Sequence, residues 1–151
     1  MQAKSFAGQG QRMIKIRQFN AVCVNCYEED DVLTIGIGDD AHAPKNFIII
    51  GRLDEDELPV NKCIGFQSDT TEYEIADAIQ SVKLGADKLA IVLNNDAAIE
   101  ADVKEYHVFI PMTKDIELLK KYLQEVFEGS EVTFILSWIS TKMSFCFSED
   151  G

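Results

Sequence analysis

The sequence predicts an α+β fold in one domain, residues 1–151: an antiparallel, meander-rich sheet with one long helix from its C-terminal half packed on one face. Three observations lead there. Apolar residues alternate, or run together as β-branched strings, around 14–38, 46–53, 79–93 and 106–110, which is strand patterning. Short turns rich in Asp, Glu, Asn and Gly separate these runs. One stretch, 113–128, changes to helical spacing.

In chain order, residues 1–12 read as a flexible arm of Gln, Gly, Ala, Ser and Lys without the apolar centre of a signal peptide. Ile14 and Ile16 open the first strand. From Phe19 to Tyr27 apolar residues fall on both faces, so that strand is expected to be covered on both sides. Glu28-Glu29-Asp30-Asp31 breaks it, and Val32 resumes with a strand to Ile37. A hairpin is expected over this acidic turn, with a loop longer than two residues. Residues 46–53 hold the stiff β-branched string Ile48-Ile49-Ile50. A second acidic loop follows at Asp54, Glu55, Asp56 and Glu57. Short strands are expected at 63–67 and around Glu72, Tyr73 and Glu74.

Ile79, Val82 and Leu84 lead into the turn Gly85-Ala86-Asp87, and Leu89, Ile91 and Leu93 point to the core on the returning strand. Asn94-Asn95-Asp96 reads as a turn. Tyr106, Val108 and Ile110 mark one more strand. Thr113 is the expected N-cap of the helix, with Asp115 and Glu117 in its first turn. Ile116, Leu119, Leu123, Val126 and Phe127 form its apolar stripe, and Gly129 stops it. Residues 131–151, with Trp138, Phe145 and Phe147, read as an extra strand or an oligomerisation tail.

Fourteen Lys and Arg stand against 26 Asp and Glu, a net charge of −12. That balance disfavours nucleic acid, whose phosphates need a basic patch, and disfavours an anionic membrane surface. It attracts a basic protein. The longest uninterrupted apolar run is Phe47-Ile48-Ile49-Ile50, far short of the about 20 residues of a membrane span. A cytoplasmic location is expected, with the four cysteines as reduced thiols.

Chemistry-bearing motifs are sparse. Cys23 and Cys26 have CxxC spacing, but on a strand residues three apart face opposite ways, and no second close pair completes a zinc site. They are read as buried core thiols. Of the two histidines, His42 lies in a loop and His107 on a strand. Cys63 and His107 supply the atoms of a nucleophile–base pair, yet nothing signals a third group to orient the base. Gly36-Ile37-Gly38 lacks the third glycine of a dinucleotide loop. The acids at 54–57 lack the alternate spacing of a calcium loop. No catalytic, cofactor-binding or metal-binding residue is therefore assigned, and the chain is not expected to be an enzyme.

From about residue 46 to 129 the order of elements is familiar: Phe47-Ile48-Ile49-Ile50-Gly51-Arg52, then Glu72-Tyr73-Glu74, Ile79-Gln80-Ser81-Val82-Lys83-Leu84, Leu89-Ala90-Ile91-Val92-Leu93, the strand around Val108 and the closing helix. This pattern resembles the tenth immunity-protein family of bacterial polymorphic toxin systems. The resemblance implies a small α+β protein that neutralises a cognate toxin domain by binding it. It implies no particular binding residues. From charge alone, the expected contacts with a basic toxin are Asp54, Glu55, Asp56 and Glu57 first, then Glu72 and Glu74. The alternative is a non-catalytic structural or regulatory module that homodimerises through its C-terminal strand.

Overall fold

Ten strands in two five-stranded sheets and two α-helices make up residues 15–111 and 115–136, the part of the chain described by the computed structural model. In chain order they are β1 (Ile16–Asn20), β2 (Cys23–Glu29), β3 (Val32–Gly38), β4 (Phe47–Arg52), a single 3-10 turn (Val60–Cys63), β5 (Ile64–Ser68), β6 (Ile75–Ala76), β7 (Ile79–Leu84), β8 (Lys88–Leu93), α1 (Asn95–Ala101), β9 (Glu105–Phe109), α2 (Ile116–Phe127) and β10 (Thr133–Leu136). The α+β class is as the sequence predicts. The single sheet is corrected to two. Thr113, the expected helix cap, lies outside the described residues, as do residues 1–12 and the tail from 137 onward.

One sheet has the order β2-β3-β4-β5-β6, so its strands lie side by side as they occur in the chain, and every neighbouring pair is antiparallel. The other has the order β10-β7-β8-β9-β1. Its centre is antiparallel, but β1 joins β9 and β10 joins β7 in parallel register. Ala21 is the crossing point between the sheets. Its N–H bonds the Phe109 carbonyl of one sheet at 2.8 Å, and the next N–H, Val22, bonds the Gly38 carbonyl of the other at 2.8 Å.

The alternation of apolar residues decides which face is buried. Ile35, Ile37, Ile48, Ile50, Ile64 and Phe66 of the first sheet meet Val82, Leu84, Leu89, Ile91, Tyr106 and Val108 of the second in one core. Phe66 and Tyr106 touch with ring centroids 5.2 Å apart. The Tyr106 hydroxyl crosses the core to Ser68 Oγ, at 2.8 Å, so a fully buried polar atom is satisfied. Helix α2 buries the predicted stripe Ile116, Leu119, Leu123, Val126 and Phe127. It packs on β2 and β3, and its last ring meets Phe134 of β10 at a tilt, with centroids 6.0 Å apart.

Three local expectations are corrected. Asn94 is not a turn residue but the N-cap of α1: its Oδ1 accepts the Ala97 N–H at 2.9 Å. The strand expected around Glu72, Tyr73 and Glu74 begins only at Ile75. The β2–β3 turn does have two residues, Asp30 and Asp31, with φ of 54° and 67°. Two successive left-handed residues make a turn whose twist matches the strands, and Asp is among the few non-glycine residues that adopt that conformation readily.

Candidate functional site: an acidic surface around Leu53

The tight turn lifts Asp30 and Asp31 to the end of the first sheet. Glu28 precedes them, paired in register with Leu33. The chain leaves β4 at Arg52 and turns out through Leu53 and Asp54 beside them. Helix α2 brings Glu125 to the same place. These elements enclose a depression of about 460 Å³ lined by five carboxylates: Glu28, Asp30, Asp31, Asp54 and Glu125.

Arg52 holds this region together. Its guanidinium, with the side chain mostly buried, donates from Nη1 to the carbonyls of Glu125 at 3.1 Å, Val126 at 2.9 Å and Glu128 at 2.7 Å. These are the carbonyls a helix leaves without partners at its C-terminus, where a cation also suits the dipole. Its Nε reaches Asp54 Oδ1 at 2.8 Å. Arg52 thus caps α2 and anchors the first acid of the 54–57 loop.

A second depression, of about 350 Å³, adjoins the first: Arg52 and Leu53 line both. Glu55 and Glu74 supply its carboxylates, and Val32, Leu58 and Ala76 its apolar walls. Leu53 is 41% exposed and Leu58 48%, large apolar side chains left open to water among acids. Apart from Asp54, no side chain of this carboxylate set accepts a hydrogen bond or pairs with a cation among the described residues.

Of the six acids expected to contact a partner, the structure brings three, Asp54, Glu55 and Glu74, into the lining of these depressions. Asp56 and Glu57 stand exposed in the turn closed by the Leu58 N–H on the Glu55 carbonyl at 3.1 Å, and Glu72 is exposed in the loop before β6. None of these three lines either depression. Glu125 lies off the apolar stripe of α2. Nothing in the spacing could show that this side faces the β2–β3 turn.

Asp39 and Asp40 serve their own loop. Asp40 Oδ2 accepts the N–H groups of Ala43 at 2.8 Å and His42 at 3.0 Å. Asp39 accepts from Asn46 Nδ2 at 2.9 Å and from the Lys45 N–H at 2.9 Å. The Asn46 bond, above all, holds the Asp39 carboxyl below its ordinary value, and the Ala43 and His42 bonds do the same for Asp40. Arg17 of β1 bonds Asn46 at 2.8 Å and pairs with Asp69, tying this loop to the other sheet.

Cys23 and Cys26 face opposite sides of β2, as a strand requires. Cys23 lines a groove on the outer face, whereas Cys26 packs against the core. Burial first, and the nearby Asp115 second, push the Cys26 thiol up to about 11. Tyr122 of α2 is pushed up by burial, with lesser contributions from Cys26, Glu28 and Glu125. Cys63 accepts the Glu55 N–H at 3.4 Å, while His107 sits 3.0 Å from Glu105 on the outer face of the other sheet. The core lies between Cys63 and His107, so they do not form a pair.

Among the described residues no group of three or more His, Cys, Asp or Glu is arranged to hold a metal ion. No helix among them is long and apolar enough to cross a membrane. No protein-family model matches the chain, and comparison with curated proteins finds no match.

Proposed function

We propose that this chain is an immunity protein that neutralises a cognate toxin domain by direct binding, with the acidic surface around Leu53 as its contacting face. The observation that carries the reading is convergence. Acids from the β2–β3 turn, the 54–57 loop, the approach to β6 and helix α2 meet around two exposed leucines. An apolar centre with a charged surround is the anatomy of a protein interface. The charges steer a basic partner and select it, and the leucines supply desolvated contact. Inhibition by contact needs no catalytic group, and the resemblance to the tenth immunity-protein family supports the same mode of action. The site of action on this reading is the cytoplasm.

A pull-down from native cell lysate, at low and high salt, tests it. The expected catch is one large multidomain secreted protein bound through its C-terminal domain, retained less well at high salt. Recovery of the bait alone would remove the reading. A second reading has its own observation. Among the described residues β10 is an edge strand with Ile135 46% exposed, a place where another copy can add strands. Sedimentation of the full chain decides it: a dimer that Ile135→Lys returns to monomer favours the homodimeric module.

A further inference from the structure

Gly51 of β4 stands directly opposite Gly65 of β5. Two facing glycines leave a strip of bare backbone on the outer side of the sheet at this point. Glu74 lies along that strip. A Cβ on Gly65 would collide with its carboxylate and come 2.7 Å from its Cγ, and one on Gly51 would lie 3.8 Å from the same carboxylate. The strip floors the second depression, whose walls include the aliphatic side chains of Leu53 and Leu58. Its two cations are engaged elsewhere: Arg52 on the α2 carbonyls and Asp54, and Lys62 toward Asp77 at 3.9 Å. Glu74 has no hydrogen bond or ion pair among the described residues.

We infer that this trough receives one extended lysine or arginine side chain of a basic protein partner, an inference that rests on the binding reading above. The aliphatic stem lies between Leu53 and Leu58, as long cationic side chains do on apolar surface, and the cationic head reaches Glu74. An apolar anchor would instead cover the Glu74 carboxylate without a partner, so the trough discriminates by charge as well as by shape. The facing glycines matter because any side chain at Gly65 lifts Glu74 off the floor.

The test uses the full chain and two isosteric probes, n-butylguanidinium and neutral n-butylurea, followed by backbone amide shifts. The cation should shift Gly51, Gly65 and Glu74 saturably, and the urea should not. Glu74→Gln should weaken that response about fivefold, the range of a partly exposed ion pair. Gly65→Ala, which keeps the charge but moves it, should weaken it similarly. Equal shifts with both probes, an unchanged response in Glu74→Gln, or saturation at Asp30 and Asp31 instead would overturn the inference. If the probe fails at the trough while salt-sensitive capture of a basic protein persists, only the trough is lost. If the probe binds as described and no basic protein is captured, the trough stands and the wider reading falls.

Discussion

Two acidic regions of the molecule, the 39–40 loop and the surface around Leu53, have opposite chemistry. Asp39 and Asp40 spend their lone pairs on the N–H groups of residues 42, 43 and 45 and on the Asn46 amide. Around Leu53, Glu28, Asp30, Asp31, Glu55, Glu74 and Glu125 receive no such bonds among the described residues. The difference teaches that local acid density does not measure availability to a partner. The first loop uses its charge to hold its own shape. The second surface has its shape held by other means, the tight turn, the sheet and the Arg52 cap, and leaves its charge available.

The largest effect should come from removing that cap. Arg52→Ala strands three helix-terminal carbonyls and should lower unfolding stability by about 2–3 kcal/mol in urea melts, the usual loss for a mostly buried charged donor. A loss below about 0.5 kcal/mol would mean that water satisfies those carbonyls equally well. Next, Asp30→Asn, Asp31→Asn, Asp54→Asn and Glu125→Gln together should slow association with a basic partner about tenfold at low salt, with little change in melting temperature. Asn keeps the left-handed turn accessible, so the fold is not the variable. The matching control, Asp39→Asn with Asp40→Asn, should leave the association rate alone. Equal slowing by both sets would erase the contrast between the two regions.

A smaller change sharpens it from the other side. Asp31 holds φ of 67°, where glycine is unstrained, so Asp31→Gly should raise stability by about 0.5–1 kcal/mol by calorimetry. No gain would show that the turn carries no strain to relieve. The smallest effect concerns pH. The Asp39 and Asp40 carboxyls are held below the ordinary 3.8, so their contribution is present above that value and is lost as pH falls through the lowered ones. Amide exchange at Ala43 and Lys45 should speed up there before that of β3 and β4. Simultaneous loss would mean that the loop has no independent equilibrium.

Helix α2 was legible because five apolar residues at helical spacing have one plausible home, and all five are buried. Helix α1 was not. Its buried contacts are only Ala97 and Ala101, while Ile99 points outward at 81% exposure, so no stripe exists to find. The two-sheet division was also hidden, since alternation shows which side of a strand is apolar but not which strand lies beside it. The acidic surface was half legible for the same reason. Asp54, Glu55 and Glu74 were visible as acids, but Glu125 joins them through the packing of α2 on β2 and β3 and the Arg52 contact, made between residues far apart in the chain. The two-residue turn was missed because Glu28 and Glu29 were counted with the acids of the loop, although they are the last residues of β2.

The edge pairings of the second sheet carry a consequence for how the molecule assembles. β2 to β6 close through antiparallel neighbours in chain order, contacts that a growing chain can make as it emerges. β1 precedes all of them, yet its partner β9 comes after them, and β10 reaches β7 only once α2 is made. Long loop closures are slow to form, so refolding should proceed with the first sheet early and the outer strands of the second late. Pulse-labelled amide exchange would show β3 and β4 protected before β1, and the reverse order would refute this. The acids of the β2–β3 turn and of the 54–57 loop would then stand side by side before α2 adds Glu125 to them.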